Sequence, residues 1–162
     1  MIYYSLSFVL LFLDQATKIY MSSLLPLCQP GYCKSIEILP VFRFTILHNR
    51  GAAFSFLHDE NGWQRYFLVA VSSVVSVFIS VWLYRVSKHE KLLALALAFI
   101  LGGALGNLVD RAMQGYVVDF IVVHYEQYYF PAFNIADSAV FIGAVLLILE
   151  TVTKSEGKAH VT

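Results

Sequence analysis

Val117-Val118-Asp119-Phe120 opens, and Phe133-Asn134-Ile135-Ala136-Asp137 closes, the stretch on which the reading of this chain turns. Between the two aspartates lie His124, Tyr125, Tyr128, Tyr129, Phe130 and Pro131, read as a loop of amphipathic aromatics. Tyr and Trp concentrate where a chain meets the membrane–water boundary, because one end of the ring is apolar and the other hydrogen-bonds. Ser138 to Leu149 follows at once, apolar enough to enter lipid or a protein core. Two carboxylates therefore stand at a membrane boundary, one on a loop and one at the mouth of a helix, as a candidate catalytic pair. Asp137 also stands near a helix start, where a capping carboxylate is favoured in any case, and spacing alone leaves both readings open.

The rest of the chain fits a membrane setting. Of its 162 residues, 59% are hydrophobic and 14% charged, against about 25% charged in a soluble domain. A formal net charge of zero leaves no electrostatic footprint for nucleic acid. Four apolar segments, about 3–23, 66–84, 92–110 and 134–152, are long enough to span. They predict one integral membrane domain over 1–162, mainly α, with four transmembrane helices. A small extramembrane β-element, about 35–56, is expected between helices 1 and 2.

Met1 to Leu13 is apolar apart from Ser5 and Ser7, and Asp14, Gln15 and Lys18 then interrupt the run. A cleaved leader is disfavoured: there is no basic start, no small-x-small site, and large Leu27 precedes Cys28. Asp14 and Lys18 are four apart and share a helix face, with the acid N-terminal to the base. An intramembrane charge costs roughly 2.5–3.5 kcal/mol on insertion scales, so the two are expected to neutralise each other away from lipid. A local ion pair and a wall of a site are compatible readings of them.

Cys28 and Cys33 flank a turn and form a disulfide only if the loop faces an oxidising compartment; free thiols are the equal alternative. Ile36 to Ile46 is rich in β-formers, with Phe42, Phe44 and Ile46 alternating with Arg43 and Thr45. Asn49-Arg50-Gly51-Ala52-Ala53-Phe54 then sets polar side chains beside small ones, which suits close approach to an extended ligand. Trp63, Arg65 and Tyr66 read as interface anchors before the second span. In the third, Gly102, Gly103 and Gly106 permit close helix packing, and Asn107, Asp110 and Arg111 lie on one face.

An even number of spans puts both termini on one side, with the basic turn of Arg85, Lys88 and Lys91. That cluster and Lys154 and Lys158 are denser than the Lys and Arg of the opposite side, which predicts cytoplasmic termini. Asp14, Asn49, Asn107, Asp110, Arg111, Asp119, Asn134 and Asp137 then converge at the outer face.

Five histidines show no metal-binding spacing, a Gly-x-Ser-x-Gly signature is absent, and Asp14 would keep Lys18 protonated and useless as a base. Two carboxylates remain. In a shared site, repulsion raises one pKa, so one member holds a proton while the other activates water, without metal or cofactor. The pair titrates as a unit.

The motifs together resemble the lipoprotein signal peptidase (bacterial signal peptidase II) family. They are Asp14-Gln15-Ala16-Thr17-Lys18, Asn49 to Phe54, Gly102 to Arg111, Val117 to Ile121 and Phe133 to Asp137, in order and over essentially the whole chain. The resemblance implies a four-helix inner-membrane aspartyl endopeptidase with a periplasmic β-cradle and active site. Its substrate would be a diacylglyceryl-modified prolipoprotein cut before the lipidated cysteine, and globomycin-type cyclic peptides would inhibit it. Asp119 and Asp137 would be the dyad. Asn49, Gly51, Asn107, Arg111 and Asn134 would position substrate and dyad; Asp14, Lys18 and Asp110 would form a polar floor, and Ala136 would support the site. Gly51-Ala52-Ala53 could close over the peptide as a lid, and the aromatic stretch Tyr116–Phe133 reads equally as a second lid or as a simple interfacial anchor. The rival class is a small transporter or channel using Asp14, Lys18, Asp110 and Arg111, although four spans are few and no internal repeat is apparent.

Overall fold

The computed structural model describes residues 1–51 and 62–159, without the side chains of 155–159. Ala52, Ala53 and Phe54, half of one expected lid and motif, lie outside the described residues, as do residues 58–61 of the surface turn. The helices are α1 (Ile2–Leu24), α2 (Trp63–Val86), α3 (Lys91–Met113) and α4 (Ile135–Ala159). The strands are β1 (Ile36–Leu39), β2 (Phe42–Asn49), β3 (Val117–Tyr125) and β4 (Tyr128–Tyr129), forming one antiparallel sheet in that order.

Among the described residues three helices are long and apolar enough to cross a membrane: α2, α3 and the Ile135–Lys154 part of α4. α1 has the length, but Asp14, Gln15 and Lys18 dilute its apolar run. The protein is thus mainly helical, membrane-embedded, and carries a small sheet.

α3 is the central helix and packs against all three others. Its small side chains explain why. A Cβ on Gly102 would stand 2.8 Å from the Leu10 Cβ of α1, and one on Gly103 would collide with the Ala136 carbonyl of α4. Neighbouring backbones fill the space a side chain would need. Buried Leu93, Ala94, Leu97, Ala98 and Leu101 join Ile79, Leu83 and Val86 of α2 in the main apolar cluster. Lys154 of α4 bridges Glu90 and Glu150, tying the end of α4 to the start of α3.

The stretch read as an aromatic loop is largely strand. Val117–Tyr125 lies along β2, with Phe42 opposite Val123 and Asn49 opposite Val117. The sheet therefore draws its strands from both sides of α2 and α3 rather than only from between helices 1 and 2. Val118, Phe120 and Val122 are buried, and Met21, Leu25 and Ile46 pack with Val118 and Phe120. Val117 and Asp119 are buried too, so both faces of this part of the strand are covered and no in–out alternation marks it in the sequence. The aromatic character is kept at the hairpin tip, where Tyr125, Tyr128 and Phe130 are exposed.

Cys28 and Cys33 are disulfide-bonded. Their loop is pinned to the sheet where the Cys28 N–H donates to the Ile46 carbonyl at 2.8 Å.

Arg65 is more than an interface anchor. Its Nε donates to the Arg111 carbonyl (3.1 Å) and an NH2 donates to that of Ala112 (2.7 Å), at the C-terminal end of α3. Gly115, at φ +83°, ends the turn with the Arg65 side chain packed over it. A cation on the last carbonyls of a helix stabilises it. Arg65→Ala is expected to lower stability by about 1–2 kcal/mol, read as a fall in Tm in detergent. An unchanged Tm would remove Arg65 from this role.

Candidate active site

Asp119 sits in mid-strand on β3, opposite Leu47 of β2, and is 4% exposed. A strand alternates its faces, which aims this carboxyl away from buried Val118 and Phe120. Its Oδ2 accepts from Asn49 Nδ2 at 3.2 Å and its Oδ1 from Asn134 Nδ2 at 2.7 Å. Burial, and then the charge of Asp137, push its pKa up to about 7, against the opposing pull of the Asn49 and Asn134 hydrogen bonds and the Lys18 charge.

Asp137 lies in the first turn of α4 and does cap it. The Asn134 N–H donates to Asp137 Oδ2 at 3.2 Å, while the Asp137 N–H donates to Asn134 Oδ1 at 2.9 Å. This reciprocal pairing is a capping box with Asn at the N-cap and Asp three residues on. The other oxygen, Oδ1, accepts from Asn107 Nδ2 at 2.8 Å. Capping thus uses Oδ2, and Oδ1 faces Asn107.

Asn134 is the hub. It is fully buried, it caps α4 through its backbone and Oδ1, and through Nδ2 it reaches Asp119, the Val118 carbonyl (3.3 Å) and Asn107 Oδ1 (3.3 Å). One side chain thus touches both aspartates and fixes the helix mouth against the strand.

Beneath lies a buried ionic layer. Lys18 Nζ stands 2.8 Å from Asp14 Oδ2 and 2.8 Å from Asp110 Oδ2, and donates to Asn107 Oδ1 at 3.2 Å. Asp14 is 0% exposed, Lys18 3% and Asp110 1%. The carboxylates also take backbone N–H groups: Ala136 donates to Asp14 Oδ1 at 2.9 Å and Val118 to Asp110 Oδ2 at 3.1 Å. Those two N–H groups belong to the segments that carry Asp137 and Asp119. A Cβ on Gly106 would stand 2.6 Å from Asp14 Oδ2, so glycine there lets α1 close against α3.

Gly51 is also buried. Its N–H donates to Asn49 Oδ1 (3.1 Å), and its carbonyl accepts from an NH2 of Arg111 at 3.2 Å. Every residue selected from the sequence is therefore in one network: Asp14, Lys18, Asn49, Gly51, Asn107, Asp110, Arg111, Asp119, Asn134, Ala136 and Asp137. Gln15 was missed. Its Nε2 donates to Asp110 Oδ1 (2.9 Å), the Gly106 carbonyl (3.1 Å) and Asp14 Oδ2 (3.2 Å), joining α1 to α3. Residue i+1 does not share the i, i+4 face, so spacing could not select it. Among the described residues, no cluster of His, Cys, Asp or Glu has the form of a metal site.

The chain is similar to known proteins along most of its length. The family model described as signal peptidase (SPase) II matches residues 6–153. A lipoprotein signal peptidase of Acinetobacter baumannii is 49% identical over 151 residues, covering 93% of this chain and 83% of its own. That of Pseudomonas putida is 48% identical over 159 residues, covering 96% and 90%. Among solved structures, one described as a bacterial membrane enzyme superposes with a TM-score of 0.76 at 28% identity, covering 94% of this chain and 88% of that one.

Proposed function

Because the chain belongs to the signal peptidase II family, a family of aspartic-type membrane peptidases, we propose that Asp119 and Asp137 are its catalytic dyad. They cut diacylglyceryl-modified prolipoproteins before the lipidated cysteine. The observation that carries this reading is Asn134, which donates to the buried Asp119 carboxyl through its side chain and to the partly buried Asp137 carboxyl through its backbone N–H, at the junction of β3 and α4. A transporter reading has no comparable support: Lys18 is locked between two carboxylates and Asn107, which suits a static floor.

At neutral pH the shared proton rests on Asp119, the member pushed upward by burial and by its partner's charge. Asp137, at the positive end of α4 and accepting from the Asn107 side chain and the Asn134 N–H, is the proposed base. It takes a proton from water as the oxygen attacks the scissile carbonyl. Asp119 gives its proton to the carbonyl oxygen, and a tetrahedral gem-diol forms. On collapse Asp137 gives its proton to the leaving nitrogen, a gem-diol hydroxyl returns a proton to Asp119, and the C–N bond breaks to release the amine. Asn49, Gly51, Asn107 and Arg111 hold the substrate backbone and the dyad in place. Globomycin-type cyclic peptides inhibit by filling this site.

In this reading α1 is the first of four spans. Its outward side chains are apolar, with Phe8, Phe12 and Ile19 more than 60% exposed, while Asp14 and Lys18 are turned inward. The Cys28–Cys33 disulfide supports a periplasmic position for the sheet, since disulfides persist in oxidising compartments. The termini and the Arg85–Lys91 turn are then cytoplasmic and the membrane is the inner one.

The sign of the pH dependence follows. As pH rises through about 7 Asp119 loses the proton it must donate, so kcat/KM for a diacylglyceryl-modified prolipoprotein falls about tenfold per pH unit above that point. A rate flat from pH 6 to 9 would overturn the assignment of the acid. Equal cleavage of unlipidated substrate would remove the lipid from the proposed specificity.

A further inference from the structure

We propose that His48, stacked on Tyr116, is a positioning residue for catalysis, clamping the last β2–β3 pair so that Asn49 stays on Asp119. The two rings lie 3.8 Å apart between centroids, with planes 16° from parallel. His48 is opposite Val118 and Asn49 is opposite Val117, after which the ladder ends. Tyr116 shares a face with Val118, two residues on, so the stack is a diagonal cross-strand contact. Asn49 points to the other face, toward the dyad.

A terminal strand pair opens readily unless something holds it, and much depends on this one. Asn49 donates to Asp119 Oδ2 and accepts from the Gly51 N–H, and the Gly51 carbonyl accepts from Arg111. If the strand end swings out, Asp119 loses a donor and Arg111 loses its anchor. Burial, and then the adjacent Arg50 charge, hold the His48 pKa below its ordinary value, so the ring is neutral at neutral pH. It can then lie on Tyr116 as a plain aromatic face.

The inference rests on the dyad assignment, and the experiment separates the two. In the prolipoprotein cleavage assay, His48→Ala lowers kcat by about fivefold with little change in KM, as expected for losing one aromatic cross-strand contact. It also moves the alkaline limb of the pH–rate profile upward, because the Asn49 hydrogen bond lowers the Asp119 pKa. His48→Phe, which keeps a stacking ring, restores both. Asn49→Ala displaces the limb in the same direction, and adding His48→Ala to it displaces the limb no further. A wild type without an alkaline limb, or an active Asp119→Asn enzyme, sinks the dyad and the clamp with it. A wild-type limb that His48→Ala leaves in place, or that His48→Phe fails to restore, sinks the clamp alone.

Discussion

Asp119→Asn and Asp137→Asn each lower cleavage of a diacylglyceryl-modified prolipoprotein by at least about 10³-fold, toward the upper end of the range for removing a general acid or base. Asparagine has the shape of aspartate but can neither release nor accept the proton at the pH of the assay. The two variants are expected to differ in stability, and that difference tests the mechanism further. Wild-type Asp119 holds a proton in the folded state that the unfolded chain releases above its ordinary value of 3.8. Its favourable contribution is thus complete below about pH 4 and is lost as pH rises through about 7. Asp119→Asn removes that titration. At pH 8.5 the inactive variant should melt roughly 5 °C above wild type, offset in part because an amide now faces the donors of Asn49 and Asn134. Asp137→Asn keeps an acceptor for the α4 cap but loses the charge. Turnover near the wild-type rate in either variant would end the dyad reading; a more stable wild type at pH 8.5 would show that Asp119 is not the protonated member.

Lys18→Met should be the most damaging change outside the dyad. It removes the one ammonium shared by Asp14 and Asp110, which are 0% and 1% exposed, and leaves two carboxylates without a cation. Breaking a buried pair on one side costs about 3–5 kcal/mol, enough to abolish the folded fraction of a marginal protein. The loss should spread to the site, because Asp14 and Asp110 also hold the N–H groups of Ala136 and Val118. The triple variant Lys18→Met, Asp14→Asn, Asp110→Asn removes charge from both sides while keeping acceptors for those N–H groups. It should recover most of the stability, measured by thermal melting in detergent. If Lys18→Met alone melts within about 1 kcal/mol of wild type, the layer is not the clamp that the distances suggest.

The membrane character, and the charged residues that the fold gathers into one network, were legible in the sequence because both depend on local signals. Apolar runs set the helices, and charges too costly to face lipid marked Asp14, Lys18, Asp110 and Arg111. Glycine positions in α3 were readable for the same reason, since a missing Cβ at a helix interface has few other uses. The strand Val117–Tyr125 was misread because most of its length pairs with β2, distant in the chain, and its nearby partner β4 is only two residues long. Arg65 on the end of α3 and Gln15 between Asp14 and Asp110 were hidden likewise, one by distance in the chain, the other by lying off the helical spacing.

The sequence by itself determined which side chains carry charge into an apolar chain, and so which had to meet. It could not decide how, because hydrogen bonds to backbone have no residue code. Packing alone set the Ala136 N–H on Asp14 and the Val118 N–H on Asp110. Those contacts form only when α1, α3, α4 and β3 close together, and they leave Asp119 buried beside a second carboxylate with its pKa near 7.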